Sequence, residues 1–293
     1  MAAARAVSAV SRPIPLYYSI HQAGKAIAAA WAAEDWKVAG HGLAHDTGAE
    51  ALWRSDVLFF RVRPRGQGVF GAVASLLGGS GLTGSVELGA LWSSLPEIEP
   101  PPEGRWLTAL PVYAESNLPF ASGDSSPFRG YVPVHTLTVG SATALTSLLA
   151  AYPHAAGAAA EGDDTGLIMD ITPDGPSASV MWPVPEVHAE TEELHWAEMR
   201  KAYVSERLPW YLRTEEYWLV PPVGDGSDQL RPVLLWWALL HGLSLLARYE
   251  PAAWRAALDL DYSPIADPLA NLLDQALEIV PDLLSDVATR LSP

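Results

Sequence analysis

A stripe of polar side chains near the N-terminus has residue types and spacing that suit ligand chemistry. Tyr17, His21 and Lys25 follow one another at intervals of four residues, which places them on one side of a helix. Phenol, imidazole and ammonium groups can all donate hydrogen bonds. The stripe therefore indicates a donor-rich face beside the apolar face of the same helix.

A second polar stripe lies in the most apolar segment of the chain, where Trp237, His241, Ser244 and Arg248 share one helical face. A histidine and an arginine in such a helix must be hydrogen-bonded or must open onto a cavity. The alternative is that both stripes are structural. In that case the histidines are satisfied in the core, and Arg248 pairs with a carboxylate such as Glu250 or one from elsewhere in the chain.

If the two stripes face each other, they form a pocket whose donors are all cationic or neutral. Such a pocket would suit an anionic small molecule.

Two further clusters have spacings that metal ligands use. In the segment HGLAHD, His41 and His45 are four residues apart and Asp46 follows. The glycines of this segment favour a loop, and it lacks the glutamate of a zinc peptidase motif, so we expect turn chemistry there. The other cluster contains His188, Glu190, Glu192, Glu193 and His195. It is more typical of a solvated acidic helix start, and we expect no metal site in the chain.

The nucleotide-binding motifs are weak. Gly79, Gly81 and Gly84 match the spacing G-x-G-x-x-G, but the segment after them is proline-rich rather than a strand–helix–strand unit. We expect a flexible glycine loop. No phosphate-binding lysine loop and no G-x-S-x-G element is present, and the sequence indicates no particular cofactor.

Helical periodicity dominates the two ends of the chain, and short apolar segments dominate the middle. We predict four longer helices over residues 15–33, 190–207, 230–249 and 268–291, the last broken or kinked at Pro281. Two short helices are predicted over 86–95 and 142–151. Strands are predicted over 57–62, 106–113, 131–139, 166–171 and 178–184, with a flexible loop over 155–164.

These elements predict an α+β fold that is mainly helical, in which N- and C-terminal helices pack together beside a small antiparallel β-rich section. We divide the chain into an N-terminal helical segment (1–50), a β-rich middle section (51–185) and a C-terminal helical section (186–293), together one compact domain.

The composition excludes several classes of protein. The chain has no cysteine, so disulfides and thiolate chemistry are absent. The net charge of −16 disfavours nucleic acid and acidic lipid surfaces as partners. The longest apolar run is too short for a bilayer span, and the N-terminus lacks a signal-like apolar core, so we expect a cytoplasmic protein with no membrane partner.

Several segments resemble the YaaC-like protein family of bacteria. They are Arg12–Tyr18 (RPIPLYY) with Lys25–Ala26, His41–Leu43 (HGL), Tyr217–Pro221 (YWLVP), Leu243–Tyr249 (LSLLARY), and Pro251 with Trp254. The resemblance implies a predominantly helical cytoplasmic protein with a small β-rich insertion, and it carries no settled catalytic mechanism. The family carries more helix before the R-P element, so we expect this chain to start late or to be a short member.

The resemblance favours five positions for testing and adds His41 to the two stripes. The complete set of expected ligand-binding residues is Tyr17, His21, Lys25, His41, His241, Ser244 and Arg248.

The helical frame is also loosely similar to HEPN-type ribonuclease domains, which occur in defence and toxin systems. Their R-x(4–6)-H motif lies on a helix, whereas here Arg129 and His135 enclose Gly130 and Pro133, which favour a strand or loop. We interpret this spacing as coincidence.

Three functions stay open at this point. The leading hypothesis is a protein that binds an anionic metabolite or nucleotide between the first helix and the apolar C-terminal helix. The second is a HEPN-like nuclease or another hydrolase, with His21, His41 or His241 as general base. The third is a non-enzymatic subunit that binds a protein partner or a second copy through a tryptophan-rich surface.

Overall fold

The computed structural model describes residues 1–31, 40–46, 56–102, 104–114, 128–172, 175–182, 210–211, 216–225 and 230–291. The chain forms two compact units. The first unit combines Met1–Thr108 with Pro222–Pro293, and the second is Ala109–Pro221. The division into three segments made from composition stays a prediction.

Eight α-helices lie in the described residues: α1 (Ala2–Arg5), α2 (Pro13–Trp31), α3 (Val69–Leu76), α4 (Leu88–Ser93), α5 (Ala142–Leu149), α6 (Pro232–Tyr249), α7 (Pro251–Ala257) and α8 (Ala266–Leu291). All but α5 belong to the first unit. With the antiparallel sheets described below, they confirm a mainly helical α+β fold.

Helix α2 begins two residues before the predicted start, because Pro13 and Pro15 both fit the first turn of a helix, where no backbone N–H partner is needed. Leu16 and Ile20 are fully buried along its apolar face. Gly24 lies on the same face, and a Cβ added there would come within 2.0 Å of the Trp237 indole. The missing side chain therefore lets α2 and α6 approach closely.

Helix α2 packs against α6, α3 and α8, so the N- and C-terminal helices do pack together, as predicted. Within α6 every residue from Val233 to Ser244 is buried. No helix among the described residues is long and apolar enough to cross a membrane.

Helix α8 is longer than predicted and continues through Pro281 without ending there. Of the two expectations at this proline, the break is wrong, and the kink stays a prediction. Ile279 and Val280 before it and Val287 after it are buried. Apolar burial on both sides of the proline offsets the one backbone hydrogen bond that it cannot donate.

A three-stranded antiparallel sheet completes the first unit. Its order is β1 (Leu43–His45), β2 (Arg61–Pro64) and β3 (Val86–Glu87). The predicted strand 57–62 is only partly right, since Val57–Phe59 is a 3-10 turn and the strand begins at Arg61. Asp56 causes the turn, because its side chain accepts a hydrogen bond from the Leu58 N–H.

The second unit is built on a seven-stranded sheet. Its strands follow the order β11 (Trp210–Tyr211), β12 (Glu216–Leu219), β4 (Leu110–Ala114), β5 (Phe128–Pro133), β10 (Gly175–Trp182) and β6 (Ala159–Ala160), with β9 (Met169–Thr172) also paired to β10. Its core includes Leu110, Val132 and Trp182 from the strands and Leu145 and Leu149 from α5.

Two predictions in this region need correction. The predicted strand 131–139 ends at Pro133 and turns into a 3-10 segment, Val134–Thr136. The predicted loop 155–164 instead contains β6 and β7 (Gly162–Asp163), and β7 forms a small hairpin with β8 (Gly166–Leu167) just beyond it. The Asp163 side chain holds the hairpin turn by accepting hydrogen bonds from Thr165 and Gly166.

Candidate functional site

Four rings converge in the first unit: Tyr17, His21, His41 and His241. We call them the ring cluster. The ring centroids of His21 and His41 are 4.6 Å apart, and those of Tyr17 and His241 are 5.0 Å apart. Tyr17 also lies 5.8 Å from His21 and 5.6 Å from His41, and His41 lies 6.3 Å from His241. The structure therefore brings the two polar stripes and the HGL segment to one place.

Helix geometry explains two members of the cluster. Tyr17 and His21 are one turn apart on α2, and the close α2–α6 approach brings His241 beside them. The Trp237 indole packs edge-on to His21 at 5.9 Å and supports that ring from α6.

His41 comes from the loop before β1, and glycines make this loop possible. Gly40 and Gly42 have φ of 94° and 82°, a region that favours glycine. A Cβ on Gly68 would lie 2.2 Å from the Gly42 nitrogen, so the loop and the start of α3 touch through backbone alone. Phe70 N–H donates to the His41 carbonyl at 3.3 Å, which anchors the loop.

The most informative property of the cluster is its buried polar atoms. Tyr17 is fully buried, and His21 and His241 are only 2% and 3% exposed. The Tyr17 hydroxyl, His21 Nδ1 and both ring nitrogens of His241 make no hydrogen bond within the described part of the chain. Most buried polar atoms in proteins are hydrogen-bonded, so these four atoms are unusual. They can still donate or accept hydrogen bonds.

Arg248 lies at the open end of the cluster. Its Nε donates to the Ser244 carbonyl at 3.1 Å, and its Nη1 and Nη2 lie 3.4 Å from the Tyr18 hydroxyl and from Ser244 Oγ. Among the described ion pairs none involves Arg248, so the expected pairing with Glu250 is wrong. Backbone and hydroxyl contacts hold the guanidinium in place without cancelling its charge.

Ser244, which was expected to contact a ligand, is fully buried. Its hydroxyl donates to the His241 carbonyl at 2.8 Å and lies beside Arg248. Its observed contacts position the guanidinium.

The three histidines are held neutral. Burial, with smaller contributions from His41 and Lys25, lowers the pKa of His21 to about 4. Burial lowers the pKa of His241 to about 3, with smaller contributions from His41, Arg248 and His21. Loss of hydration, Arg248 and Lys25 also lower the pKa of His41, although its side chain is exposed. Each imidazole therefore presents one N–H donor and one acceptor at neutral pH.

Tyr17 keeps its proton for the same reason, since burial raises the pKa of its hydroxyl despite the opposing charge of Arg248. Lys25 is half-buried one turn beyond His21, and no ion pair to it occurs in the described ranges. The charged groups that the described ranges place at the cluster are therefore two cations.

The other motifs that fall within the described residues do not form sites. His45 stacks on Phe60 at 4.2 Å rather than joining His41, and the residues that the structure describes contain no group that could hold a metal ion. Gly79, Gly81 and Gly84 follow α3, a helix, so they lack the preceding strand of a dinucleotide fold. The acidic cluster of residues 188–195 lies outside the described residues.

The two residues with HEPN-like spacing, Arg129 and His135, do not lie on a helix. Arg129 lies in β5 and His135 in the 3-10 turn after it. Arg129 pairs with Glu161 at 3.2 Å.

A cavity of about 320 Å³ lies elsewhere in the first unit, lined by Trp92, Ile98, Glu99 and the face of α8 between Asp267 and Asp274. Its polar rim is acidic. Arg12 donates to Asp274 at this rim, so one carboxylate is neutralised within the chain.

Sequence reasoning missed Tyr18 and Tyr249. Both rings lie near the Arg248 guanidinium, at 5.8 Å and 5.2 Å from its central carbon. Each is a sequence neighbour of a residue that was identified, Tyr17 and Arg248. Helical spacing alone places both tyrosines off the polar stripes. The crossing of α2 and α6 then brings Tyr18 to the same guanidinium that Tyr249 neighbours on α6.

The family model of the YaaC-like proteins matches residues 1–287, so the chain belongs to the YaaC-like protein family. The search of curated proteins and the search of solved structures return no match.

Proposed function

We propose that this YaaC-like protein binds an anionic small molecule, a metabolite or nucleotide, at the ring cluster between α2 and α6. One observation carries the proposal: four buried polar atoms with no hydrogen bond inside the described chain lie beside two cations with no ion pair there. Leaving buried polar atoms unbonded costs about 1–3 kcal/mol each. A bound molecule that supplies the missing partners would recover that energy.

The charge of the cluster favours an anion. Lys25 and Arg248 are positive, and they contribute to lowering the pKa values of the neighbouring histidines. A metal cation would meet the same repulsion, whereas a phosphate or carboxylate would be attracted. The neutral imidazoles and the Tyr17 hydroxyl would add directional hydrogen bonds without a competing negative charge.

The arrangement also gives each residue a distinct task. His41 and Arg248 are accessible and would meet the ligand first. Tyr17, His21 and His241 are buried and would bond the groups that enter furthest. The half-buried Lys25 would balance charge from the α2 side, and Ser244 would keep Arg248 oriented.

Thermal unfolding with a panel of anions tests the proposal, using phosphate, pyrophosphate, citrate, ribose 5-phosphate and adenosine 5′-monophosphate as probes. At 100 times its dissociation constant, a ligand stabilises the folded state by about 2.7 kcal/mol. We expect at least one probe to raise the melting temperature of the wild type. Arg248→Ala and His21→Ala should stay folded and lose this increase.

Matched controls exist on the same chain. Arg255 on α7 and His135 in the second unit are exposed, so Arg255→Ala and His135→Ala should keep the full increase. Failure of every probe, or equal stabilisation of the Arg248 and His21 variants, would refute anion binding at the cluster.

The hydrolase and the interaction subunit stay predictions, and the same preparations separate them. Turnover of a nucleotide or RNA that is lost on His41→Ala would favour the hydrolase. A stable oligomer unaffected by cluster variants would favour the interaction subunit.

A further inference from the structure

The surroundings of Arg248 narrow the class of ligand. The guanidinium lies 5.2 Å from the Tyr249 ring and 5.8 Å from the Tyr18 ring. Tyr249 is 69% exposed and Tyr18 is 41% exposed. Arg248, beside the ring cluster, therefore opens onto aromatic surface as well as onto hydrogen-bonding groups.

The two tyrosines differ in what they do. The Tyr18 hydroxyl is engaged with Arg248 Nη1, and its ring packs against Tyr17 at 5.5 Å, so Tyr18 helps to hold the guanidinium. Tyr249 ends α6, and most of its ring is open to solvent. An open aromatic face beside a fixed guanidinium is a surface on which a planar heteroaromatic ring stacks.

We infer that the anion taken by the ring cluster is a free nucleotide, whose phosphate contacts Arg248 and the histidines and whose base stacks on Tyr249. This inference rests on the proposed anion site and specifies its substrate class. Aromatic stacking accepts any base because every base has a π face, so the geometry selects nucleotides as a class rather than one base.

Charge favours a free nucleotide over a nucleic acid strand. The protein carries a net charge of −16, and its repulsion grows with every additional phosphate of a polyanion. A mononucleotide places its single phosphate at the cations of the cluster and extends little charge beyond them.

Titration calorimetry with two probes of matched charge tests the inference. Adenosine 5′-monophosphate and ribose 5-phosphate share the sugar phosphate and differ in the base. We expect the wild type to bind the nucleotide about tenfold more tightly, as stacking of one base predicts. Tyr249→Ala should remove this preference and leave the affinity for ribose 5-phosphate unchanged, whereas Tyr249→Phe should retain the preference.

Tyr262 provides the control, because it is 87% exposed in the first unit and has no described ring contact with Arg248. Tyr262→Ala should leave both affinities unchanged. Equal binding of the two probes by the wild type would overturn the nucleotide assignment, and a preference that survives in Tyr249→Ala would overturn the stacking on Tyr249. The anion site stands in both cases. Binding of neither probe by the wild type would also overturn the nucleotide assignment, and the anion site would then be decided by the other anions of the thermal unfolding panel. Displacement of the nucleotide by an adenosine oligonucleotide of higher affinity would overturn the assignment to a free nucleotide.

Discussion

Buried polar side chains occur in both compact units, and those of strand β10 differ in their hydrogen bonding from those of the ring cluster. In the second unit Ser177 and Ser179 are buried on β10, and both are hydrogen-bonded, to the Thr172 hydroxyl and the Glu161 carboxylate. In the first unit His241 is buried to a similar degree, and both of its ring nitrogens lack a hydrogen bond in the described chain.

The difference separates polar groups that stabilise the fold from polar groups that weaken it. A satisfied buried hydroxyl adds about 0.5–1.5 kcal/mol to stability, whereas an unsatisfied one subtracts a comparable amount or more. Unsatisfied groups that gather at one place, beside uncompensated cations, are typical of a site that trades stability for binding.

The largest expected effect tests the helix contact on which the ring cluster depends. In Gly24→Ala the new Cβ would overlap the buried Trp237 indole. We expect a loss of about 3 kcal/mol in the free energy of unfolding, measured in guanidinium, and loss of anion-induced stabilisation. Gly71→Ala on α3 is the control, because nothing lies within 4 Å of the added carbon there. A fully stable Gly24→Ala protein would contradict the close α2–α6 packing.

The second-largest expected effect is a loss of stability when a hydrogen-bonded buried hydroxyl is removed. Ser179→Ala leaves the partly buried Glu161 carboxylate without one of its donors, which should cost about 2 kcal/mol because the acceptor is charged. Ser75→Ala removes an exposed hydroxyl bonded to the Gly71 carbonyl and should change stability by less than about 0.5 kcal/mol. Urea unfolding compares the two variants, and equal costs would remove the contrast between buried and exposed hydroxyls.

The third expected effect is a gain in the free energy of unfolding rather than a loss. Tyr17→Phe removes a buried hydroxyl that has no hydrogen bond in the described chain, so the protein without ligand should gain about 1 kcal/mol. Stabilisation by the anion should fall in the same variant. Tyr262→Phe, at an exposed position, should change neither quantity. A loss of stability in Tyr17→Phe would show that the hydroxyl serves the fold instead.

The smallest effect is a dependence on mild acid. Burial lowers the pKa of His21 to about 4 and of His241 to about 3, below the ordinary value of 6.5 in the unfolded chain. The unfolded state therefore binds more protons as pH falls through 6.5, and stability is lost progressively until the folded values are reached. Between pH 7 and pH 6 we expect a loss of less than about 1 kcal/mol per histidine.

Guanidinium unfolding at both pH values measures this dependence. His241→Phe should reduce the dependence, leaving the part due to His21, and His135→Phe, at an exposed site, should leave it unchanged. A slope of the opposite sign in the wild type would mean that the folded protein favours the charged histidines.

The regular helices were the most predictable part of the fold. Apolar spacing located α2 and α6 to within about two residues, because each exposes one continuous apolar face to its neighbours. The strands were less predictable. Asp56 displaced one strand through a hydrogen bond from the Leu58 N–H, and another strand gave way to a 3-10 turn after Pro133, and apolar patterning reports neither feature. Pro281 caused an error of the opposite kind, because it predicted a helix break where the helix continues. Apolar burial on both sides outweighs the backbone hydrogen bond that the proline cannot donate.

Only part of the candidate site was predictable from the sequence. Spacing identified the members of each stripe, and the family resemblance added His41. The role of Arg248 could not be read in advance, because Glu250 is its nearest acidic neighbour in sequence, whereas Tyr18, 230 positions away, is its observed contact. Whether these residues bind a ligand stays a prediction.

The sequence by itself determined which residues share a face, because 3.6 residues per turn is a property of the backbone and holds in any surroundings. Tertiary structure alone decided that the faces meet at one ring cluster, that a glycine-bounded loop delivers His41 to it, and that Tyr17, His21 and His241 are buried with unbonded polar atoms. The physical reason is that hydrogen-bond satisfaction and burial are properties of every element packed around a residue, and those elements come from distant parts of the chain.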